Sequence, residues 1–285
     1  MRPSGQSDGS NGFPDILYKY RCWSDREEHT LHKRLLTHGE IYFAKPSSFN
    51  DPFDCQIALR LDMASAAEMR RKLMKGSPEA YPGRSYRERE RLVTKRILAL
   101  KNPDTLRKEK ERQRRMIDET FGVLSLTAAP KSLVMWAHHA ESHTGICVGL
   151  HTKSLLAFSD NFIRTTLMPS DLMKVDYVDD YPIIDLLGPS YKPGTGPYIV
   201  VKSKSRSDWS YEDEYRLYIG GRPIRKRLYV LPDSAISEVI LGCNMSPHYR
   251  QEVKTVLRGK ATKILLLQAK LKEYSFGLDF DEVTY

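Results

Sequence analysis

Apolar and polar positions repeat along the chain with two periods, one typical of strands and one of helices. Residues 15–21 alternate with a period of two, which predicts a strand. Leu31, Leu35 and Leu36 then recur at helical spacing, and Gly39 follows as a natural helix end. Further strands are predicted over 40–44, 123–127, 145–150 and 214–219, and helices over 131–141 and 198–207.

A β-α-β unit is predicted near the end of the sequence, over residues 236–242, 247–257 and 263–271. Because strands and helices interleave throughout, the expected class is α+β with a mixed central sheet. The length of 285 residues favours one elaborated domain from residue 15 to 285. Residues 1–14 are rich in Gly, Ser, Asp and Pro, so we expect a disordered tail rather than a signal peptide.

The segment of about residues 62–120 has a helical composition, with breaks near Gly76–Gly83 and at Pro103, and is expected to be a helical insertion. It also carries the charge of the chain. Between Glu68 and Glu119 there are 17 Lys or Arg against 9 Asp or Glu, while the whole chain has a net charge of +9. The segment is either a solvated set of helices or an electrostatic footprint for nucleic acid or another polyanion.

The four cysteines are far apart and form no C-x-x-C pair. We therefore expect buried free thiols rather than a disulfide framework or a zinc knuckle. No apolar run approaches the roughly 20 residues of a membrane helix, so no membrane partner is expected. Together with the missing signal peptide, these features predict a cytoplasmic protein. The Gly- and Pro-rich stretch Gly188–Pro197 is predicted to be a long surface loop and lacks the P-loop ending.

Unusual polar residues fall in three segments, Tyr18–Asp54, Ser125–Gly149 and Trp209–Arg216. In the first, Tyr20 and Arg21 end a strand, where a guanidinium suits phosphate or carboxylate, unless it forms an ordinary ion pair. Turn chemistry follows at Asn50, Asp51 and Asp54, which either shape the turn or anchor a ligand.

The other two segments hold histidines and carboxylates. Trp136, His138 and His143 are candidates for a polar pocket. His139 and His143 would lie one turn apart on the predicted helix, but they lack the H-E-x-x-H order and a third ligand, so no metal is expected. Glu212 and Glu214 would share one face of a strand, either as partners of arginines or as an acid/base pair.

Five motifs together resemble the bacterial domain-of-unknown-function family twenty-nine seventy-one over residues 17–242. They are Leu-Tyr-Lys-Tyr-Arg, Ile-Tyr-Phe-Ala-Lys-Pro-Ser-Ser-Phe-Asn-Asp-Pro-Phe-Asp, Met-Trp-Ala-His, His-Thr-Gly and Trp-Ser-Tyr-Glu-Asp-Glu-Tyr-Arg. The Phe-Asn-Asp-Pro-Phe-Asp element is specific, whereas His139 departs from the tyrosine more frequent in the family. The resemblance implies a family but no established activity.

A second resemblance is to toxin-type ADP-ribosyltransferases, which use an Arg, a Ser-x-Ser/Thr and a Glu-x-Glu in this order. Here Arg21, Ser125 with Thr127, and Glu212 with Glu214 follow that order. The resemblance implies NAD as a substrate, an ADP-ribosyltransferase-like two-sheet core and catalytic roles for Glu214 and Glu212. Arg21 would hold the NAD pyrophosphate or ribose, Ser125 and Thr127 the nicotinamide ribose, and Tyr20 or Tyr42 would stack on nicotinamide.

The sequence-level hypothesis is thus an NAD-using ADP-ribosyltransferase or NAD glycohydrolase, in keeping with a bacterial toxin or defence effector. The expected pocket is completed by Asn50, Asp51, Trp136, His138, His143, Trp209 and Arg216. Glu214→Gln is expected to abolish NAD turnover while leaving the fold intact. Two alternatives remain open: a nucleic-acid-binding module without NAD chemistry, and a Mg²⁺ nuclease in which Asp51, Asp54 and the glutamates converge.

Overall fold

The computed structural model describes residues 12–55, 58–60, 63–100, 102–185 and 202–285. The chain divides into two compact units. The first unit comprises Met1–Ala44, Phe121–Val175 and Arg206–Tyr285, and the second comprises Lys45–Thr120 and Asp176–Ser205. The second unit therefore contains the whole basic helical segment together with two flanking pieces of chain.

An eight-stranded mixed sheet forms the centre of the first unit, with the strand order β14-β13-β12-β5-β1-β4-β10-β6. These strands are β1 (Ile16–Arg21), β4 (Phe121–Thr127), β5 (Ile146–His151), β6 (Ser170–Lys174), β10 (Glu214–Gly220), β12 (Ile236–Leu241), β13 (Leu265–Leu271) and β14 (Leu278–Glu282). A separate antiparallel ladder pairs β2 (Glu40–Tyr42) with β11 (Leu228–Val230). The α+β class with a mixed central sheet is confirmed.

The five helices described in the first unit are α1 (Thr30–His38), α6 (Leu133–His139), α7 (Thr152–Thr166), α8 (Arg206–Trp209) and α9 (Pro247–Arg258). The helix α9 connects β12 to β13, and these two strands pair in parallel, as the predicted β-α-β unit requires. Every other pairing in the large sheet is antiparallel. The described strands therefore build one large sheet with small ladders, not two large facing sheets.

The two faces of this sheet carry separate apolar clusters. On one face, here called the α1 face, Leu17 packs with Leu35 and Leu36 of α1. On the opposite face, the α6 face, Tyr20 packs with Met135 and Trp136 of α6. Since side chains alternate along a strand, β1 sends odd-numbered residues to the α1 face and even-numbered residues to the α6 face.

The second unit is mostly helical. Its helices are α2 (Ala66–Lys75), α3 (Ser77–Ala80), α4 (Tyr86–Leu100) and α5 (Pro103–Thr120). Two short parallel ladders join β3 (Ala58–Arg60) to β8 (Ile183–Asp185) and β7 (Asp176–Val178) to β9 (Ser203–Ser205). The side chains of Ser65 and Glu68 form a capping box that starts α2. Asp54 and Lys204 are both buried and form an ion pair with 3.6 Å between Oδ2 and Nζ.

Some predicted elements differ from the structure or fall outside its description. The helix α7 was not anticipated, because its many Ser, Thr, Asp and Asn residues weaken the helical signal; Leu155 and Phe162 nevertheless bury it in the core. Within the predicted helix 198–207, Ser203–Ser205 is a strand, since it pairs with β7. The tail up to residue 11 and the loop 188–197 lie outside the described residues. No described helix is long and apolar enough to cross a membrane.

Candidate active site

Three neighbouring strands bring polar side chains together on the α6 face of the sheet. The backbone register places Tyr18 opposite Thr127, and Thr127 opposite Glu214. One step further along β4, Ser125 stands opposite Arg216. Because directly opposed residues share a face, these five side chains form one continuous polar band across β1, β4 and β10.

Glu214 and Arg216 form a buried ion pair within this band. Arg216 Nε and Nη2 donate to Glu214 Oε1 and Oε2, each at 2.8 Å. The Arg216 side chain is 0% exposed and that of Glu214 5%. A planar guanidinium that meets both oxygens of a carboxylate fixes the carboxylate in one orientation. The pair therefore holds the Glu214 carboxylate in one orientation at the start of β10.

The segment before β10 is not a strand. Ser210–Glu212 is a 3-10 turn, and Asp213 has a left-handed backbone with φ of 40°, so the strand begins only at Glu214. Strand alternation was expected to place Glu212 and Glu214 on one face. This reasoning is wrong, because Glu212 precedes the strand. Both glutamates are nevertheless buried.

Thr127 and His139 hold Glu212 in this position. The Thr127 hydroxyl donates to the Glu212 carbonyl oxygen and accepts from the Ala129 backbone N–H at 2.9 Å. The Glu212 carboxylate lies 3.5 Å from Nε2 of His139, a side chain that is 35% exposed. Of the two glutamates, Glu212 thus has a partly exposed neighbour, whereas Glu214 faces a fully buried arginine.

Aromatic side chains from β1 and α6 support the floor of this region. The rings of Tyr20 and Trp136 meet edge to face with 5.1 Å between centroids. Tyr20 Oη donates to the Ala129 carbonyl at 2.7 Å, and Trp136 Nε1 donates to the Pro130 carbonyl at 2.9 Å. Burial raises the pKa of Tyr20 well above its ordinary value, so its hydroxyl remains a donor at neutral pH.

A second aromatic group lies nearer to solvent. Tyr211, in the turn beside Glu212, contacts the exposed His138 edge to face and Trp209 at a tilted angle, with centroid distances of 6.3 and 6.2 Å. Both Trp209 and Tyr211 are half-buried. Tyr211 was not selected from the sequence, and His139 was considered there only as a metal ligand together with His143. In the sequence, each of them is adjacent to a selected residue: Tyr211 to Glu212, and His139 to His138.

The end of α6 contradicts the predicted pair of histidines on one helix. The helix ends at His139, and Glu141, Ser142 and His143 all have left-handed backbones with φ between 51° and 68°. His143 therefore turns back and stacks on Trp136 at 6.2 Å with an interplanar angle of 9°. Burial lowers the pKa of His143. This side chain contributes to the aromatic floor and does not pair with His139 across a helical turn.

Arg21 does not join the polar band. It lies three residues after Tyr18 on the same strand, so alternation sends it to the α1 face. Its surroundings agree: burial lowers the pKa of Arg21 to about 10, and burial together with the Arg21 charge lowers the pKa of His32 in α1 to about 4. The expected cleft lined by Arg21, Ser125 and Glu214 is therefore not formed, although Ser125 and Glu214 do share a face.

The remaining sequence candidates lie elsewhere. Tyr42 is 49% exposed and belongs to the β2–β11 ladder rather than to the large sheet. Asn50 and Asp51 belong to the second unit, where Asp51 Oδ1 accepts from the Phe53 backbone N–H at 2.8 Å and stabilises a turn. Among the described residues, one group of His and Cys side chains lies close enough together to hold a metal ion, and neither Glu212 nor Glu214 belongs to it.

No family model, curated protein or solved structure matches this chain. The resemblances seen in the sequence therefore remain predictions, and the case for a site on the α6 face comes from its geometry alone.

Proposed function

We propose that the first unit is an NAD-using enzyme of the ADP-ribosyltransferase or NAD glycohydrolase type, with its reaction centre on the α6 face. The observation that carries this proposal is two buried glutamates at the start of β10: Glu212, whose backbone carbonyl accepts from the Thr127 hydroxyl, and Glu214, which stands opposite Thr127 in the ladder. Two buried carboxylates at a sheet can stabilise the positive charge that develops in the transition state of such a reaction.

The reaction breaks the bond between nicotinamide nitrogen and the ribose C1′. The bonding electron pair leaves with neutral nicotinamide, and a cation-like ribosyl centre remains. Glu214, fixed by Arg216, is the preorganised negative group for that charge. Glu212, beside the partly exposed His139, is the carboxylate that accepts a hydrogen bond from the ribose 2′-hydroxyl. An acceptor oxygen or nitrogen then bonds to C1′ and releases its proton to solvent; water as acceptor gives ADP-ribose.

The half-buried rings of Trp209 and Tyr211 are the proposed stacking surface for a flat base, next to His138. Tyr20 and Trp136 are buried beneath and keep α6 in place instead of contacting the substrate. Arg21 has no role in the proposed reaction. The site is therefore the carboxylate pair with Thr127 and the outer aromatic group, a smaller set than the sequence suggested.

Incubation of the full chain with NAD labelled in its adenylate portion tests the proposal. We expect nicotinamide release, with the label passing either to water or to a macromolecule in a bacterial extract. Absence of both nicotinamide release and label transfer, with candidate protein, DNA and RNA acceptors present, would overturn the proposal.

We also propose, from the sequence, membership of family twenty-nine seventy-one, a cytoplasmic location and a role as a bacterial toxin or defence effector. The magnesium-nuclease alternative gains no support from the described residues, because Glu212 and Glu214 do not belong to a group of converging ligand atoms there. The binding-module alternative rests on a different observation in the second unit.

That observation is a basic groove of about 500 Å³ between α2 and α4. Arg87, Arg91 and Lys95 line it at intervals of four residues, so they share one face of α4 and all three are exposed. Arg70 of α2 also lines the groove and pairs with Glu90. The second candidate function is therefore binding of a nucleic-acid backbone along this face.

Binding of a labelled DNA duplex at increasing salt tests this second function. Charge removal in the groove by the triple variant R87Q/R91Q/K95Q should reduce the slope of log affinity against log salt by about 2–3, since each phosphate contact contributes about 0.9. The control R107Q/K108Q/K110Q removes three charges from the exposed surface of α5. Equal effects of the two variants, or no binding by the wild-type chain, would refute a groove-specific role.

A further inference from the structure

A cysteine and two histidines converge between the end of β1 and the first turn of α1, and they take no part in the proposed NAD chemistry. Cys22 directly follows β1, His29 ends a 3-10 turn, and His32 lies in the first turn of α1. One potential ligand atom from each lies within 4.8 Å of the other two. The three residues have the spacing Cys-x6-His-x2-His in the sequence. The sequence therefore carried a signal for this cluster, although the four cysteines themselves are widely spaced.

From this convergence we infer that Cys22, His29 and His32 form a binding site for a zinc-class divalent cation. A thiolate with two imidazoles is a donor set that zinc prefers, and three protein ligands leave a fourth position for water. With Zn–S of about 2.3 Å and Zn–N of about 2.0–2.1 Å, tetrahedral ligand atoms lie about 3.3–3.6 Å apart. Closing by at most about 1.5 Å, through side-chain rotation, therefore completes the site.

The two imidazole rings are direct neighbours. His29 and His32 are three residues apart and their rings stack, with 5.3 Å between centroids and an interplanar angle of 16°. Nδ1 of His32 is shielded from solvent and has no hydrogen-bond partner among the described residues. A buried ring nitrogen without a partner is costly unless something binds it, and a cation in this cluster would do so.

Outer groups orient His29 in the way that metal-bound histidines require. The Ser24 hydroxyl lies 2.6 Å from His29 Nδ1, and Glu141 Oε2 lies 3.6 Å from the same nitrogen. Such a contact fixes the tautomer and directs the other ring nitrogen towards the metal. Arg21 adds positive charge near His32, and Glu141 together with Cys22, once its thiol has lost its proton to bind the metal, would supply two negative charges against it.

Titration of the metal-free full chain with Co²⁺ and then Zn²⁺ tests this site. We expect one Co²⁺ per chain with a thiolate-to-cobalt charge-transfer absorption, displacement by Zn²⁺ and a higher melting temperature with bound metal. C22S and H32Q should each weaken Zn²⁺ binding by more than about 100-fold, since loss of outer-shell partners alone costs about 10–100-fold. C243S and H38Q are matched controls, and both should bind like the wild-type chain.

The charge-transfer band reports thiolate ligation in the wild-type chain, so the test holds even if a variant fails to fold. A wild-type chain that binds no metal, or binds it without this band, would overturn the inference. So would a folded C22S or H32Q variant of unchanged affinity. The outcome is independent of NAD turnover, because the readouts are metal binding and thermal stability.

Discussion

Replacing Glu214 with glutamine removes the negative charge that Arg216 meets inside the first unit. Both side chains are buried, with 0% exposure for Arg216 and 5% for Glu214, and two hydrogen bonds of 2.8 Å join them. Removing one partner of a buried ion pair costs about 3–5 kcal/mol, because the remaining charge loses this counter-charge in the interior. The earlier expectation that Glu214→Gln leaves the fold intact is therefore revised to a strong destabilisation.

For a protein of this size, 1 kcal/mol corresponds to about 2–4 °C, so the melting temperature of E214Q should fall by roughly 10 °C. Urea unfolding of E214Q, R216M and the double variant, followed by circular dichroism, gives the three free energies. The double variant should be less destabilised than the sum of the single variants by at least about 2 kcal/mol, because it removes both charges of the pair together.

The exposed pair of Lys174 and Asp213 is the control for this cycle. Its atoms are 2.9 Å apart, but the side chains are 54% and 40% exposed. K174M should therefore cost less than about 1 kcal/mol. Additive single variants at Glu214 and Arg216, or an E214Q cost as small as that of K174M, would refute the buried-pair reasoning.

Two further predictions concern stability. G242A should destabilise the chain by about 1–3 kcal/mol in urea unfolding, because a Cβ at this position would lie 2.0 Å from the His143 carbonyl oxygen; G259A, whose Cβ would meet only an ordinary contact at 3.5 Å, should be neutral or slightly stabilising, and equal losses would contradict this. A hydrogen bond from Lys260 lowers the pKa of Asp233, so this carboxylate stabilises the fold above its ordinary pKa, and the stabilisation disappears as pH falls through the lowered value. D233N should thus be less stable than wild type at neutral pH but equally stable in acid, and a pH-independent difference would refute the assignment.

The hydrophobic pattern was sufficient to predict most strands of the large sheet and the parallel β12–β13 pair. It could not predict α7, because tertiary burial of Leu155 and Phe162 outweighs the weak helical propensity of the polar residues between them. Strand and helix periodicities are local properties of the sequence. An element could therefore be predicted where its local pattern agrees with its packing in the folded chain.

The site was predictable only in part, since it depends on register between distant strands. Residue order placed Arg21, Ser125 and Glu214 in the sequence expected of a transferase. Only the pairing of Tyr18 with Thr127 reveals that Arg21 faces away. The left-handed backbone of Asp213 is likewise not encoded by any periodicity, yet it decides where Glu212 points.

The most direct test of the central claim compares nicotinamide release from NAD by the wild-type chain, E212Q and D213N. Both variants keep the side-chain size, and D213N changes a carboxylate one residue away from Glu212 that instead pairs with Lys174. The proposed chemistry predicts a loss of about 100-fold or more in E212Q, comparable to removal of one transition-state contact, and near wild-type release in D213N. Wild-type release by a folded E212Q variant, or no release by the wild-type chain, would contradict it.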